Sequence, residues 1–318
     1  MNRNSEILIL GGGNLKYSVS VCLSIGGDSV TLITDEEEDA KNVFRKYFSE
    51  YSEFLKQNQN VRYSKITDEL NFGSNYPLAI GITNESLSEK RSIIEKLEKS
   101  LSSTSVIAIN TEMIPLSHLQ KGCLHPERII GLNWVEPAHT TFFLELISNE
   151  VNDDKVVKKI KNHARKFWRK DPYVVKTDIG IRAKLLCGMV REAFYLVENG
   201  YASIEDIDRA CRNDAGYYLP FAGNFRYMDL MGTYAYGLVM KDLNRELSNE
   251  SEIPQFFKAI IDKGGKGMEN GKGFYSYDEE EVKKWHKLFN GFSYKIMEII
   301  EKYPFNNIVE KELISNEK

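Results

Sequence analysis

Ile7-Leu8-Ile9-Leu10-Gly11-Gly12-Gly13-Asn14-Leu15-Lys16 decides how this chain folds. Four consecutive apolar residues read as a strand buried on both faces, the glycines end it, and a helical pattern runs on through Val19 to Ile25. A second apolar run, Val30 to Ile33, closes on Thr34-Asp35. Strand, turn, helix and strand in this order open a parallel sheet. Glu36 to Gln59 is charged, with Val43, Phe44, Phe48, Phe54 and Leu55 at helical spacing. Further strands are predicted at Leu78 to Ile82, Ser105 to Ile109, Ile129 to Trp134 and Phe142 to Ile147, with a helix over Glu89 to Leu101.

After Asp178 the texture changes. Arg182 to Glu198, Ser203 to Arg212, Phe256 to Lys263 and Glu279 to Glu301 carry helical patterns, the second opening on an S-x-E-D start. The expectation is an α/β protein: an N-terminal Rossmann-type doubly wound domain over residues 1–179, followed by an all-α C-terminal domain over residues 180–318.

With 318 residues, 42% hydrophobic and 11% aromatic, the chain can bury a sizeable core, which excludes a disordered chain or a small stapled scaffold. Forty-two Lys and Arg against 46 Asp and Glu leave a net charge of -4, with no basic block suited to nucleic acid. Cys22, Cys123, Cys187 and Cys211 show no C-x-x-C spacing and read as separately buried, reduced thiols, without a metal site. Neither a signal-peptide core nor a stretch of roughly 20 apolar residues is found, so the expectation is a cytoplasmic protein with no membrane partner.

A glycine turn between a strand and a helix is the context in which G-x-G-x-x-G binds a dinucleotide. Gly11 makes the tight turn, Gly13 lets backbone approach a pyrophosphate, and the helix amino end at Asn14 and Leu15 favours that charge. Lys16 stands where the third glycine belongs, so it either splays the helix or swings its ammonium outward. Thr34 or Asp35 stands where an acid would take the adenosine ribose hydroxyls, and the acids Glu36 to Asp39 repel a 2′-phosphate. The cofactor expected is NAD, in preference to NADP.

Motifs further along resemble the 3-hydroxyacyl-CoA dehydrogenase family, with its relatives that act on L-gulonate and L-carnitine. The resemblance covers Ile7 to about Tyr277. Of the family's E-x-x-x-E-x-x-x-x-K, Glu85 and Lys90 remain, at positions that contact cofactor and substrate. Asn110-Thr111-Glu112 stands for N-T-S, and Arg128 to Pro137 for R-x-x-G-x-H-F-F-N-P. Glu145 matches the acid that orients the family's catalytic histidine. In the second half, Glu192 to Asp208, Gly223-Asn224-Phe225 with Asp229 and Gly232, and the closing Gly271-Lys272-Gly273-Phe274-Tyr275-Ser276-Tyr277 follow the family pattern. The resemblance implies hydride transfer between NAD and a 3-hydroxy acid or its acyl-CoA thioester, as in fatty acid metabolism. It also implies a homodimer built on the helical domain.

The active-site positions depart from that pattern. The family's histidine is Asn133, its serine is Glu112, and its asparagine is Ala183, or Lys184 if a one-residue shift near Gly180 is placed differently. Asparagine does not titrate near neutral pH and cannot be the general base. His139, six residues on and between two strands, is the nearest histidine. Altered proton transfer through Glu145, His139, Asn133 and Glu112 is therefore one expectation. The alternative is a catalytically silent homologue that binds NAD or an acyl ligand in a regulatory or scaffold role.

Overall fold

The computed structural model describes residues 5–55, 65–67, 75–84 and 86–303. An eight-stranded sheet in the order β3-β2-β1-β4-β5-β6-β7-β8 carries the first half of the chain. Its strands are β1 (Glu6–Gly11), β2 (Ser29–Ile33), β3 (Lys65–Thr67), β4 (Leu78–Ile82), β5 (Val106–Ile109), β6 (Ile129–Asn133), β7 (Glu145–Ile147) and β8 (Tyr173–Val175). The pairings are parallel except between β6 and β7, which run antiparallel with Asn133 opposite Glu145. The strand expected over Phe142 to Ile147 is thus only its last three residues, and it reverses direction.

Helices cover both faces, as the fully buried β4 and β5 require. On one side α1 (Leu15–Ile25), α2 (Glu37–Leu55) and α5 (Asp154–Phe167) pack Val19, Leu23, Phe44, Ile160 and Ala164 onto Ile7, Ile9, Ile80 and Leu132. On the other, α3 (Leu87–Ser100) and α4 (Leu116–Gln120) pack Ile94, Leu97, Leu116 and Leu119 onto Leu8, Ala79 and Ile107. The doubly wound reading holds. The part of the charged segment read as helix beyond residue 55 lies outside the described residues.

The contacts divide the chain into two units after Lys184, within α6 (Ile181–Glu198). The second unit is helical: α7 (Ile204–Ala210), α8 (Gly216–Met231), α9 (Thr233–Leu243), α10 (Gln255–Asp262) and α11 (Glu279–Lys302). Between α7 and α8 the chain makes a π-turn over Cys211–Ala215, which the expected helix over Ser203 to Arg212 had not foreseen. Gly223, at φ 65°, interrupts α8 three residues after Pro220. Phe194, Phe257 and Phe274 cluster with ring centroids 5.1 to 6.1 Å apart. Much apolar surface stays uncovered, with Tyr217, Phe225 and Tyr234 each about four-fifths exposed. Cys187 is exposed, contrary to the expectation of buried thiols; Cys22 alone of the four is fully buried, and all four are free.

A buried carboxylate closes the first unit behind the sheet. Asp28, after α1, accepts from Ser5 N at 3.1 Å and from Trp168 Nε1 at 2.7 Å, and pairs with His163 Nε2 at 2.7 Å. Both ends of the Asp28–His163 pair are 2% exposed or less, so removing one partner strands the other in a low-dielectric interior. Asp28→Ala is expected to lower unfolding free energy by about 3–5 kcal/mol. The check is the urea midpoint, and a loss below about 1 kcal/mol would contradict this account.

Candidate functional site

The turn after β1 has the shape a pyrophosphate needs. Gly11, at φ 140°, lies so close to β4 that a Cβ there would stand 1.7 Å from Ile82 O. Gly12 N donates to that same carbonyl at 2.9 Å, which fixes the turn against the sheet. A Cβ on Gly12 or on Gly13 (φ 72°) would meet no protein atom within 4 Å. Backbone therefore opens onto free space at the amino end of α1, with Asn14 exposed beside it and Leu15 starting the helix. These residues fit a dinucleotide.

Lys16 neither splays the helix nor swings outward. Its side chain is buried along α1, and Nζ donates to Thr34 Oγ1 at 3.1 Å, at the end of β2. Asp35 is exposed. On the far side of the turn, Lys90 is fully buried, with Nζ 3.2 Å from both Thr83 Oγ1 and Asn110 Oδ1. Asn110 in turn accepts from Thr83 N at 2.9 Å and donates to Thr83 O at 2.8 Å, joining the ends of β4 and β5. Glu85 lies outside the described residues.

The antiparallel register of β6 and β7 brings Asn133 and Glu145 together. Asn133 Nδ2 donates to Glu145 Oε2 at 3.0 Å, and both side chains are buried. Asn133 Oδ1 accepts from Thr111 N at 2.8 Å, Thr111 Oγ1 at 3.2 Å and Glu112 N at 3.1 Å. Glu145 Oε1 accepts from Tyr173 Oη at 3.1 Å, Ile181 N at 2.9 Å and Arg182 N at 3.2 Å. Burial and the neighbouring Glu145 push the Tyr173 phenol up, so it stays a donor at neutral pH. A Cβ on Gly180 would fall 2.1 Å from Glu145 Oε2, so the chain can pass there only without a side chain.

Glu112 sits at φ 48°, a left-handed conformation uncommon for a residue with a Cβ. Arg182, not among the residues singled out from sequence, has Nη1 3.7 Å from Glu112 Oε2 and its guanidinium carbon 5.7 Å from the centre of the Phe143 ring. Both are partly exposed, so a carboxylate and a cation face solvent beside the buried pair. Its place directly before Ala183 and Lys184 was the available signal. Among the described residues, no group of three or more His, Cys, Asp or Glu side chains is arranged to hold a metal ion.

His139 does not suit the role of a base poised near pH 7. It lies in a single 3-10 turn, Ala138–Thr140, buried at 7% exposure, with its ring 4.7 Å from that of Tyr47 on α2. Desolvation, then the Lys170 ammonium, push its pKa down to about 3. Between pH 3 and 6.5 the unfolded chain binds a proton that the native chain refuses. Stability is therefore full above pH 6.5 and is lost on acidification, by up to about 1.4 kcal/mol per unit from this group. Between pH 7 and pH 5 the wild type is expected to lose up to about 2 kcal/mol more than His139→Gln, by urea denaturation at each pH. Equal losses would refute the assignment of this shift to His139.

Known proteins share this fold and its order of sequence motifs. The model of the 3-hydroxyacyl-CoA dehydrogenase NAD-binding domain matches residues 6–179, and that of the 3-hydroxyacyl-CoA dehydrogenase C-terminal domain matches residues 181–277. A 5-formyl-3-hydroxy-2-methylpyridine 4-carboxylate 5-dehydrogenase from Mesorhizobium japonicum is 28% identical over 222 residues, which make up 69% of this chain and 72% of that one. The fatty acid oxidation complex subunit alpha of Shewanella frigidimarina is 27% identical over 68% of this chain, which spans only 29% of that subunit's length. Among solved structures, an NAD+-dependent dismutase described as a 5-formyl-3-hydroxy-2-methylpyridine 4-carboxylic acid 5-dehydrogenase superposes with a TM-score of 0.87. It is 24% identical, over 95% of this chain and 99% of that one. An (S)-3-hydroxybutyryl-CoA dehydrogenase from Ralstonia eutropha gives 0.67 at 19% identity, over 86% and 99%. At these identities the two structures speak for the fold.

Proposed function

The chain belongs to the 3-hydroxyacyl-CoA dehydrogenase family of NAD-dependent oxidoreductases, and we propose that it oxidises or reduces a small 3-hydroxy acid through a proton path that uses no histidine. The observation that carries this reading is Asn133. It stands where the family has its base, cannot take a proton, and has its carbonyl oxygen occupied by three donors and its amide bonded to Glu145.

The group best placed to take the hydroxyl proton is Glu112. Its backbone N–H is held by Asn133, and its carboxylate is partly exposed next to Arg182. Bound NAD would supply the hydride acceptor, held by Gly11, Gly13, Asn14 and Leu15 at the turn, by Thr34 and Asp35 after β2, and by Lys90 and Asn110, with Glu85 assigned from the family motif alone. As the C–H bond breaks and its electron pair leaves with hydrogen, the O–H proton passes to a Glu112 oxygen, leaving a carbonyl. Asn133 and Glu145 act as positioning residues: they hold the Thr111 to Glu112 backbone in its left-handed turn. The Arg182 cation favours an anionic substrate with a free carboxylate over a neutral thioester. The Mesorhizobium relative, whose named substrate is a pyridine carboxylate, is consistent with this choice.

We assign cofactor binding to residues 1–179 and substrate binding and dimerisation to 180–318. The exposed aromatic residues Tyr217, Phe225 and Tyr234 support a homodimer through the helical part, and light scattering at micromolar concentration tests it. No helix among the described residues is long and apolar enough to cross a membrane, which is compatible with a cytoplasmic address. A second reading, a silent NAD-binding homologue, draws on the way Asn133 and Glu145 satisfy each other. Quenching of protein fluorescence by NADH, followed by turnover assays on free 3-hydroxy acids and their thioesters, separates the two. Glu112→Gln is expected to lower kcat by about 10²–10⁴ with NADH affinity nearly unchanged. Full activity in that variant would remove Glu112 from the mechanism, and NADH binding without turnover on any substrate would favour the silent reading.

A further inference from the structure

In a dinucleotide-binding βαβ unit, an acid closing the second strand accepts hydrogen bonds from the adenosine ribose, and that contact sets the choice between NAD and NADP. Here the residue after β2 is Thr34, a neutral side chain. Its Oγ1 already accepts from Lys16 Nζ at 3.1 Å and from Glu36 N at 3.2 Å. Asp35 is exposed, and three residues beyond the strand stands Glu36, whose carboxylate is held from α1. Glu36 Oε2 accepts from Tyr17 Oη at 3.1 Å and lies 3.6 Å from Lys16 Nζ, while its side chain remains 60% exposed. The Lys16 ammonium also sits 4.8 Å from the centre of the Tyr17 ring, so consecutive residues of α1 form one grip.

Recognition of neighbouring hydroxyls requires a carboxylate that is fixed in direction yet open to solvent on one side. Glu36 meets both conditions: one oxygen is anchored by a phenol and an ammonium, and the group as a whole is accessible. Lys16 is the reason it can, because a glycine at that position would leave Glu36 without its cation. The same ammonium, without Glu36 beside it, would face the adenosine subsite as a bare positive charge next to the Thr34 hydroxyl. The charge balance of three side chains then decides whether this subsite attracts hydroxyls or a phosphate dianion.

We propose that Glu36, held in place by Lys16 and Tyr17, is the carboxylate that receives the adenosine ribose hydroxyls and rejects a 2′-phosphate. Lys16 is its positioning residue. The inference rests on the NAD reading above and moves the specificity contact from Thr34 and Asp35 to Glu36.

Dissociation constants for NADH, NADPH and ADP-ribose, measured by calorimetry on the full chain, test it without reference to turnover. Glu36→Gln is expected to weaken NADH and ADP-ribose by roughly tenfold, to tighten NADPH, and so to shift the ratio of the two cofactors by more than tenfold. Asp35→Asn should shift that ratio less than Glu36→Gln does. Lys16→Met, which keeps the buried stem, should weaken NADH without any gain for NADPH. Glu36 is exposed and outside any helix or strand, so Glu36→Gln remains informative even if the buried Lys16→Met variant fails to fold. Wild-type binding of NADH with an unchanged ratio in Glu36→Gln, or a larger shift in Asp35→Asn, overturns the Glu36 assignment while leaving the NAD reading intact. No binding of NADH or ADP-ribose to the wild type would overturn both.

Discussion

The site is organised around one buried carboxylate. Removing a charge from water costs several kcal/mol unless it is paired or fully hydrogen-bonded, and Glu145 is 1% exposed. Its four donors come from β6, from β8 and from the first residues of α6, so the penalty is offset only when all of those elements are in position. Two of the donors are backbone N–H groups at a helix amino end, where negative charge is favoured in any case. Gly180 must remain a glycine for the same reason, since the carboxylate occupies the space of a side chain there. Glu145 is thereby the joint between the last strands of the sheet and the helix that leaves it.

Much of the fold was legible. The strands around the glycine turn announce themselves as short apolar runs because parallel strands are buried on both faces, and periodicity then identifies the helices between them. Family motifs in unbroken order extended that reading from Ile7 to about Tyr277, and the family models match residues 6–179 and 181–277. The helix Asp154–Phe167 was not among the expected elements, although its buried positions Val157, Ile160, His163 and Ala164 recur at helical spacing among the lysines. The short β8 was not expected either, because three residues carry no period.

Site chemistry was legible in part, for a reason that lies in burial. Asn133 and Glu145 could be paired on paper because a family spacing relates them, and the register of β6 and β7 brings them into contact. His139 was attractive because an unperturbed imidazole titrates near neutral pH, but sequence does not report that Tyr47 and Lys170 close over it. Lys16 was misjudged for the opposite reason: a lysine is expected to seek water, whereas this one has a hydroxyl and a carboxylate within reach at the end of β2. In each case the deciding neighbour lies well away in sequence.

Lys90 bears on how ordered the ends of β4 and β5 are before any ligand arrives. Its ammonium, buried between Thr83 and Asn110, cross-links the ends of two adjacent strands through neutral oxygens. Backbone at strand ends is ordinarily the part of a sheet that frays, and ordering it on association subtracts from affinity. Here that ordering is completed during folding. The ends of β4 and β5 are thus a fixed edge rather than a flexible lip, and whatever adaptation a ligand demands must come from segments that no such cross-link restrains.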